Sequence, residues 1–205
     1  RAGEIVEVVT DNDPDTVRYY GITDADAAGC SVLLARTGYT GEDGFELYCE
    51  PELATPLWHA LTRVGRARGL IHAGLACRDT LRLEAGMPLY GNELSVSVTP
   101  FEVGLGRVVA FGKPGPFVGR DALTAARDRP PRRVLAGLVG AGRRCARRGH
   151  RVLERAATPV DQADAVGAVT SGALSPTLGV PIAMALLAPD LADPGTELDV
   201  DVRGR

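Results

Sequence analysis

Arg36-Thr37-Gly38-Tyr39-Thr40-Gly41-Glu42-Asp43-Gly44-Phe45-Glu46-Leu47-Tyr48 is the stretch on which the reading of this chain turns. Glycines at 38, 41 and 44 are interleaved with aromatics, threonines and acids, a mixture that neither a plain strand nor a plain helix needs. Two readings are open from these residues alone. One is a glycine-rich hairpin between the apolar segments 32–34 and 45–47, and the other is a ligand loop set between two strands.

Outside that stretch the composition is unexceptional. The 205 residues are 45% hydrophobic and 24% charged, the balance of an ordinary globular protein with one large or two small domains. A formal net charge of -3 argues against a nucleic-acid binder, which would show a basic face. The local cluster Arg143, Arg144, Arg147, Arg148 and Arg151 reads as a solvated loop. Cys30, Cys49, Cys77 and Cys145 form no C-x-x-C pair, and His59, His72 and His150 are scattered, so reduced thiols and no metal site are expected. No apolar run reaches the roughly 18 to 20 residues that span a bilayer, and the N-terminus has no secretory pattern. The expected location is the cytoplasm, with no membrane partner.

Periodicity and turn chemistry place the elements. Strands are expected over 4–10, 17–22, 30–36 and 45–49, with 24–29 as a loop. A helix begins at Pro51, because Leu53, Leu57, Leu61 and Val64 recur at spacings of 4, 4 and 3. Basic residues Arg63, Arg66 and Arg68 suit its last turns, and Gly69 is its stop. A second helix lies within 74–91, ended by Gly86 and Pro88, with Arg78 and Arg82 read as an exposed i,i+4 face. A strand is expected at 108–111 and a helix at 119–127. Asp128-Arg129-Pro130-Pro131 then reads as a linker, since consecutive prolines continue neither a helix nor a central strand. Beyond it, short strands near 134–139, 150–154, 166–171, 182–187 and 197–202 suggest a small barrel or sandwich. The class is therefore α+β, with domains at 1–128 and 132–205.

Three stretches taken in order resemble the aminomethyltransferase family, the T-protein of the glycine cleavage system. They are residues 36–46, residues 77–91 (Cys-Arg-Asp-Thr-Leu-Arg-Leu-Glu-Ala-Gly-Met-Pro-Leu-Tyr-Gly), and Val-Gly-Ala-Val-Thr-Ser-Gly at 166–172 followed by Ser-Pro-Thr-Leu-Gly at 175–179. The resemblance implies the C-terminal part of a folate-binding domain followed by a small antiparallel β-barrel-like domain, slightly truncated. It implies that Glu46 accepts the pterin's N–H donors, that Arg78 donates to the folate's acceptors, and that Tyr39 and Tyr90 present ring faces to it. Tetrahydrofolate would be a co-substrate, and the lipoyl-bearing H-protein the partner that delivers the aminomethyl group. Proximity would be a large part of the protein's contribution.

The resemblance also carries departures. The family's catalytic aspartate belongs to a region that would precede Arg1, so no catalytic residue is assigned here, and little transferase activity is expected of this polypeptide alone. The alternatives are the folate-binding C-terminal module of a sarcosine or dimethylglycine dehydrogenase-type flavoenzyme, and a non-catalytic folate-binding remnant. A folate-binding relative from iron–sulfur assembly carries a Lys-Gly-Cys-Tyr-type motif that is not found in the sequence.

Overall fold

Ile5, Val6 and Val9 fall on one stripe of a helix, and the segment Ala2–Val9 (α1) is helical, not the strand expected over 4–10. All three are buried while Val8 stays half exposed. A strand would have turned Ile5 and Val6 to opposite faces. Helix propensity differs by only a few tenths of a kcal/mol among these residues, so burial of the stripe outweighs their β-branched preference. Glu4 in the first turn complements the helix dipole. The computed structural model describes residues 1–155 and 163–202. Its chain divides into two compact units, 1–81 and 82–205.

In the first unit, β1 (Ile22–Ala27), β2 (Cys30–Ala35) and β3 (Glu46–Tyr48) form an antiparallel sheet in the order β1-β2-β3. The expected loop at 24–29 is instead mostly β1. Its Asp and Ala residues have low strand propensity, yet Asp24 and Asp26 face solvent while Ala25 and Ala27 face the core. Ala28 and Gly29 both adopt positive φ (57° and 82°), which closes a two-residue hairpin between Ala27 and Cys30. The strand expected at 17–22 is also absent. A 3₁₀ turn at Pro14–Thr16 precedes buried Val17, and Tyr20 takes φ of 62°, a left-handed value that ends any extended run.

The helix α2 (Pro51–Arg66) packs Leu57 against Ile5, Val9, Ala27, Cys30 and Val32, with Leu53, Leu61 and Val64 at the edge of the same cluster. Each fully buried aliphatic side chain contributes about 1.5–3 kcal/mol. At its end the Leu70 N–H donates to Gly65 O (2.9 Å) and the Gly69 N–H to Arg66 O (3.2 Å), with Gly69 at φ 80°. This pair of bonds is a Schellman cap, for which a residue without Cβ is preferred. The next helix, α3 (Leu75–Glu84), ends the same way at Gly86, with Met87 N–H on Arg82 O (2.8 Å).

The second unit holds α4 (Arg120–Arg127) and five strands, β4 (Val134–Val139), β5 (Arg151–Glu154), β6 (Ala165–Leu174), β7 (Pro181–Leu187) and β8 (Leu198–Val200). They form a curled antiparallel sheet in the order β4-β7-β6-β5-β8. All five match the positions expected from the sequence. Register shifts in β6, near Val166 and at Thr170, bend its middle. Val152, Val169, Ala183, Ala185 and Leu187 make the core of this sheet. The strand expected at 108–111 is a 3₁₀ turn, Gly106–Val108, whose Val108 is exposed and has no strand to pair with among the described residues.

Candidate functional site

The glycine-rich stretch leaves β2 at Arg36 and returns in β3, so it is a long hairpin connection, and its side chains form a cluster. Arg36 fixes its base. The guanidinium donates a fork to Asp43, Nε to Oδ1 (2.9 Å) and Nη2 to Oδ2 (2.8 Å), while Nη1 donates to Val17 O (3.2 Å). Hydrogen bonding to Asp43 raises Arg36 above its ordinary pKa, and the same fork holds the Asp43 carboxyl below the usual carboxylate range. A planar fork of this kind fixes direction as well as distance. It ties the middle of the loop to the turn that precedes β1.

Glu46, the first residue of β3, stands exposed at the mouth of that loop. Its Oε2 accepts from Thr37 Oγ1 and from the Tyr48 hydroxyl (3.1 Å). The bond to Glu46 holds the Tyr48 phenol above its ordinary pKa. An ionised carboxylate offers about four acceptor positions, so capacity remains for further N–H donors. Arg78, exposed on α3, lies with its guanidinium carbon 4.3 Å from the centroid of the Tyr39 ring, a cation–π contact that orients both. Gly41 takes φ of 81°. A Cβ at Gly38 or Gly44 would meet nothing within 4 Å, so neither glycine is required by the chain's own packing there. In the first unit, therefore, the structure pairs Tyr39 with Arg78 and sets Glu46 among Thr37 and Tyr48.

Tyr90 belongs to the second unit. It sits exposed (71%) at the tip of a tight loop in which Asn92, Glu93 and Leu94 N–H groups all reach Leu89 O at 3.0 to 3.1 Å. Arg82, expected on an exposed face with Arg78, is instead fully buried. Its Nη1 donates to Glu93 Oε2 (2.9 Å) and Met87 O (3.1 Å), and its Nη2 to Ser171 Oγ (2.6 Å). The i,i+4 spacing misled because α3 is exposed at its start and buried at its end. A second carboxylate, Glu84, accepts from Ser175 Oγ, from the Thr177 N–H (3.1 Å) and from Thr177 Oγ1 (3.0 Å). Those bonds, Ser175 first, hold its carboxyl below the usual range against a smaller opposing effect of desolvation.

Sequence reasoning missed the Arg36–Asp43 fork and both attachments of α3, through buried Arg82 and through Glu84. Opposite charges seven positions apart within the loop are a signal for the first. Nothing in the sequence ties Arg82 to Ser171, 89 positions away. Among the described residues no cluster of His, Cys, Asp and Glu could hold a metal ion, and no helix is long and apolar enough to cross a membrane.

The comparisons with known proteins agree on one kinship. Residues 1–113 match the family model described as GCVT N-terminal domain, and residues 133–205 match the glycine cleavage T-protein C-terminal barrel domain. An aminomethyltransferase of Streptomyces coelicolor is 58% identical over 204 residues, which cover 98% of this chain and 53% of that protein. One from Saccharopolyspora erythraea is 54% identical, covering 100% of this chain and 54% of its own length. The crystal structure of glycine cleavage system aminomethyltransferase T from Bartonella henselae superposes with a TM-score of 0.87 at 28% identity, across 100% of this chain and 54% of that one. The chain thus spans about half the length of the relatives it matches.

Proposed function

Because the chain belongs to the glycine cleavage T-protein family of aminomethyltransferases, we propose that it serves the transfer of a one-carbon unit from an aminomethyl-lipoyl group on H-protein to tetrahydrofolate. The carbon is joined to N5 of the folate to give methylenetetrahydrofolate, and ammonia leaves. Residues 36–48 and Arg78 are the folate-recognition elements on this reading. Glu46 accepts N–H donors of the pterin, Arg78 donates to folate acceptors, and Tyr39 supplies a ring face. Tyr90 is assigned a further aromatic contact by the resemblance alone. Tetrahydrofolate is a co-substrate and the setting is cytoplasmic. The domain boundary at 128–131 is part of the same proposal, and its lying within the interval 114–132 between the two family matches supports it.

The observation that carries this reading is the Arg78–Tyr39 contact at 4.3 Å in the same unit as exposed Glu46. It pairs a planar donor with an aromatic face, the same unit carries the exposed Glu46 carboxylate, and there is open space above Gly38 and Gly44. A flat heterocycle with donor and acceptor edges matches that set. Anaerobic calorimetric titration with tetrahydrofolate tests it. Saturable binding is expected, weakened roughly tenfold or more in Glu46→Gln and in Arg78→Ala, the size of losing one hydrogen bond to a charged group. Equal affinity in the wild type and both variants would overturn the assignment.

A further inference from the structure

Arg132, Arg133 and Arg148 stand around one cleft of about 530 Å³ that belongs wholly to the second unit. Asn92 lies beside them, and the rest of the wall is β6 from 165 to 170 with the end of β7. At its exposed positions that wall carries only the methyl groups of Ala165 and Ala168, which leaves the concavity open. Among the described residues no Asp or Glu lines the cleft. The chain as a whole carries a formal net charge of -3, so three guanidinium groups on one concave surface are a local reversal of sign. Charges of one sign gathered in a cleft with apolar walls focus their field there, repelling one another and attracting a counter-ion.

The three arginines are compensated unequally. Arg133 is the balanced one: its Nε donates to Glu102 Oε1 (3.1 Å) and its Nη2 to Ser97 O (3.2 Å). Arg148 is held but not neutralised. Its Nη1 donates to Asn92 Oδ1 (3.3 Å), and Asn92 Nδ2 donates in turn to Ser171 Oγ (3.0 Å), a buried hydroxyl that also receives Arg82 Nη2 (2.6 Å). The cluster 143–151, expected to be a solvated loop, therefore has one member tethered through an amide to the interior. Arg132 has no hydrogen bond or ion pair among the described residues. Two positive charges, from separate parts of the chain, face the cleft without a carboxylate.

We propose that this cleft binds a small molecule bearing two or more oxyanion groups, phosphate or carboxylate. A guanidinium fork matches either group, and a point charge on a flexible stem would not fix it as well. More than one anionic group is needed because Arg132 and Arg148 are both uncompensated. The volume lies in the range of small-molecule sites, and the net charge of the chain disfavours a nucleic acid. Nothing in this assignment depends on the folate reading of the first unit.

Pyrophosphate and citrate are the probes, titrated separately into the full chain at constant ionic strength and followed by calorimetry. At least one binds saturably, and Arg132→Gln and Arg148→Gln each weaken it roughly tenfold or more, the size of losing one charge-assisted hydrogen bond. Arg143→Gln makes the same change in net charge at an exposed position outside the cleft and leaves the affinity within twofold of the wild type. Both cleft arginines are exposed, so the variants keep the wild-type melting temperature. Tighter binding of pyrophosphate assigns the site to phosphate esters and tighter binding of citrate to carboxylates, and either supports the proposal. A second readout needs no variant: the amide resonances of Gly149, Ala165 and Ala168 move on titration of the wild type. The proposal is overturned if neither probe binds at millimolar concentration, if Arg143→Gln weakens binding as much as Arg148→Gln, or if the shifts fall only on residues outside the cleft.

Discussion

Gly172→Ala introduces a Cβ 2.3 Å from the carbonyl oxygen of Ala146 and 3.4 Å from the Ala183 Cβ on the paired strand β7. An ordinary carbon–oxygen contact is about 3.3 Å, so relief needs a movement of about 1 Å between two backbone segments. The side of β6 that carries Gly172 is paired to β7, leaving segment 145–148 to move. That movement breaks the bond from Arg147 Nη1 to Gly172 O (2.7 Å). Overpacking of this kind costs about 1–3 kcal/mol, and an exposed charge-assisted bond adds about 1 kcal/mol. The expected total is about 3 kcal/mol, or a fall in melting temperature of about 6–12 °C for a chain of this length. Thermal unfolding followed by far-ultraviolet circular dichroism reads it. Gly38→Ala is the control, because its φ is not left-handed and its Cβ would meet nothing within 4 Å. That variant should match the wild type or gain up to about 1 kcal/mol. A Gly172→Ala protein that melts within about 1 °C of the wild type would contradict this, because a Cβ set against the Ala146 carbonyl oxygen would then cost nothing.

Three further outcomes follow from the same geometry. Leu34→Ala empties a site that is fully buried with Val6 and Val17, directly before the glycine-rich loop; it should destabilise the fold by about 2–5 kcal/mol by chemical denaturation, and a loss under 1 kcal/mol would contradict the packing. Because the Glu84 pKa is depressed in the fold by Ser175 and Thr177, its stabilising effect is complete above the unfolded carboxylate value and disappears as pH falls through the lower folded one. The Thr177 amide resonance should therefore shift only in acid, below the ordinary glutamate range, and Glu84→Gln should abolish that shift; an unchanged acid limb in the variant would show that another group is responsible. Tyr48, raised by its bond to Glu46, keeps that stabilisation below the unfolded phenol value and loses it as pH rises through the folded one. Its ring resonances should titrate above the ordinary tyrosine range, and Glu46→Gln should lower the midpoint; a midpoint unchanged by that substitution would mean that the bond does not persist in solution.

What the sequence made legible was governed by periodicity and by punctuation. The face of α2 was readable from Leu53 to Val64 because a helix shows one stripe, and its end from Gly69 because a left-handed cap favours that residue. The five strands of the second unit were readable for the same reason, as apolar runs separated by turns. Helix α1 was not. In a run as short as Ile5 to Val9 both periods fit, and only the packing of Ile5 and Val9 against Leu57 and Val32 separates them. The strand β1 was hidden because Asp and Ala disguise a two-residue alternation that its partner β2 enforces. Of the candidate site, Tyr39, Glu46 and Arg78 were named from motifs, and the fold places the first and last in contact. Burial of Arg82 was illegible, since its partners Glu93 and Ser171 are supplied by tertiary structure.

We propose that residues 36–48 and Arg78 recognise a reduced folate. A proton–nitrogen correlation spectrum of the chain, recorded during titration with tetrahydrofolate, tests it most directly. Saturable shifts are expected, concentrated at the amides of Thr37 to Tyr48 and at the Arg78 side chain, and lost in Glu46→Gln. Shifts confined to other residues, or a spectrum unmoved by the ligand, would contradict it.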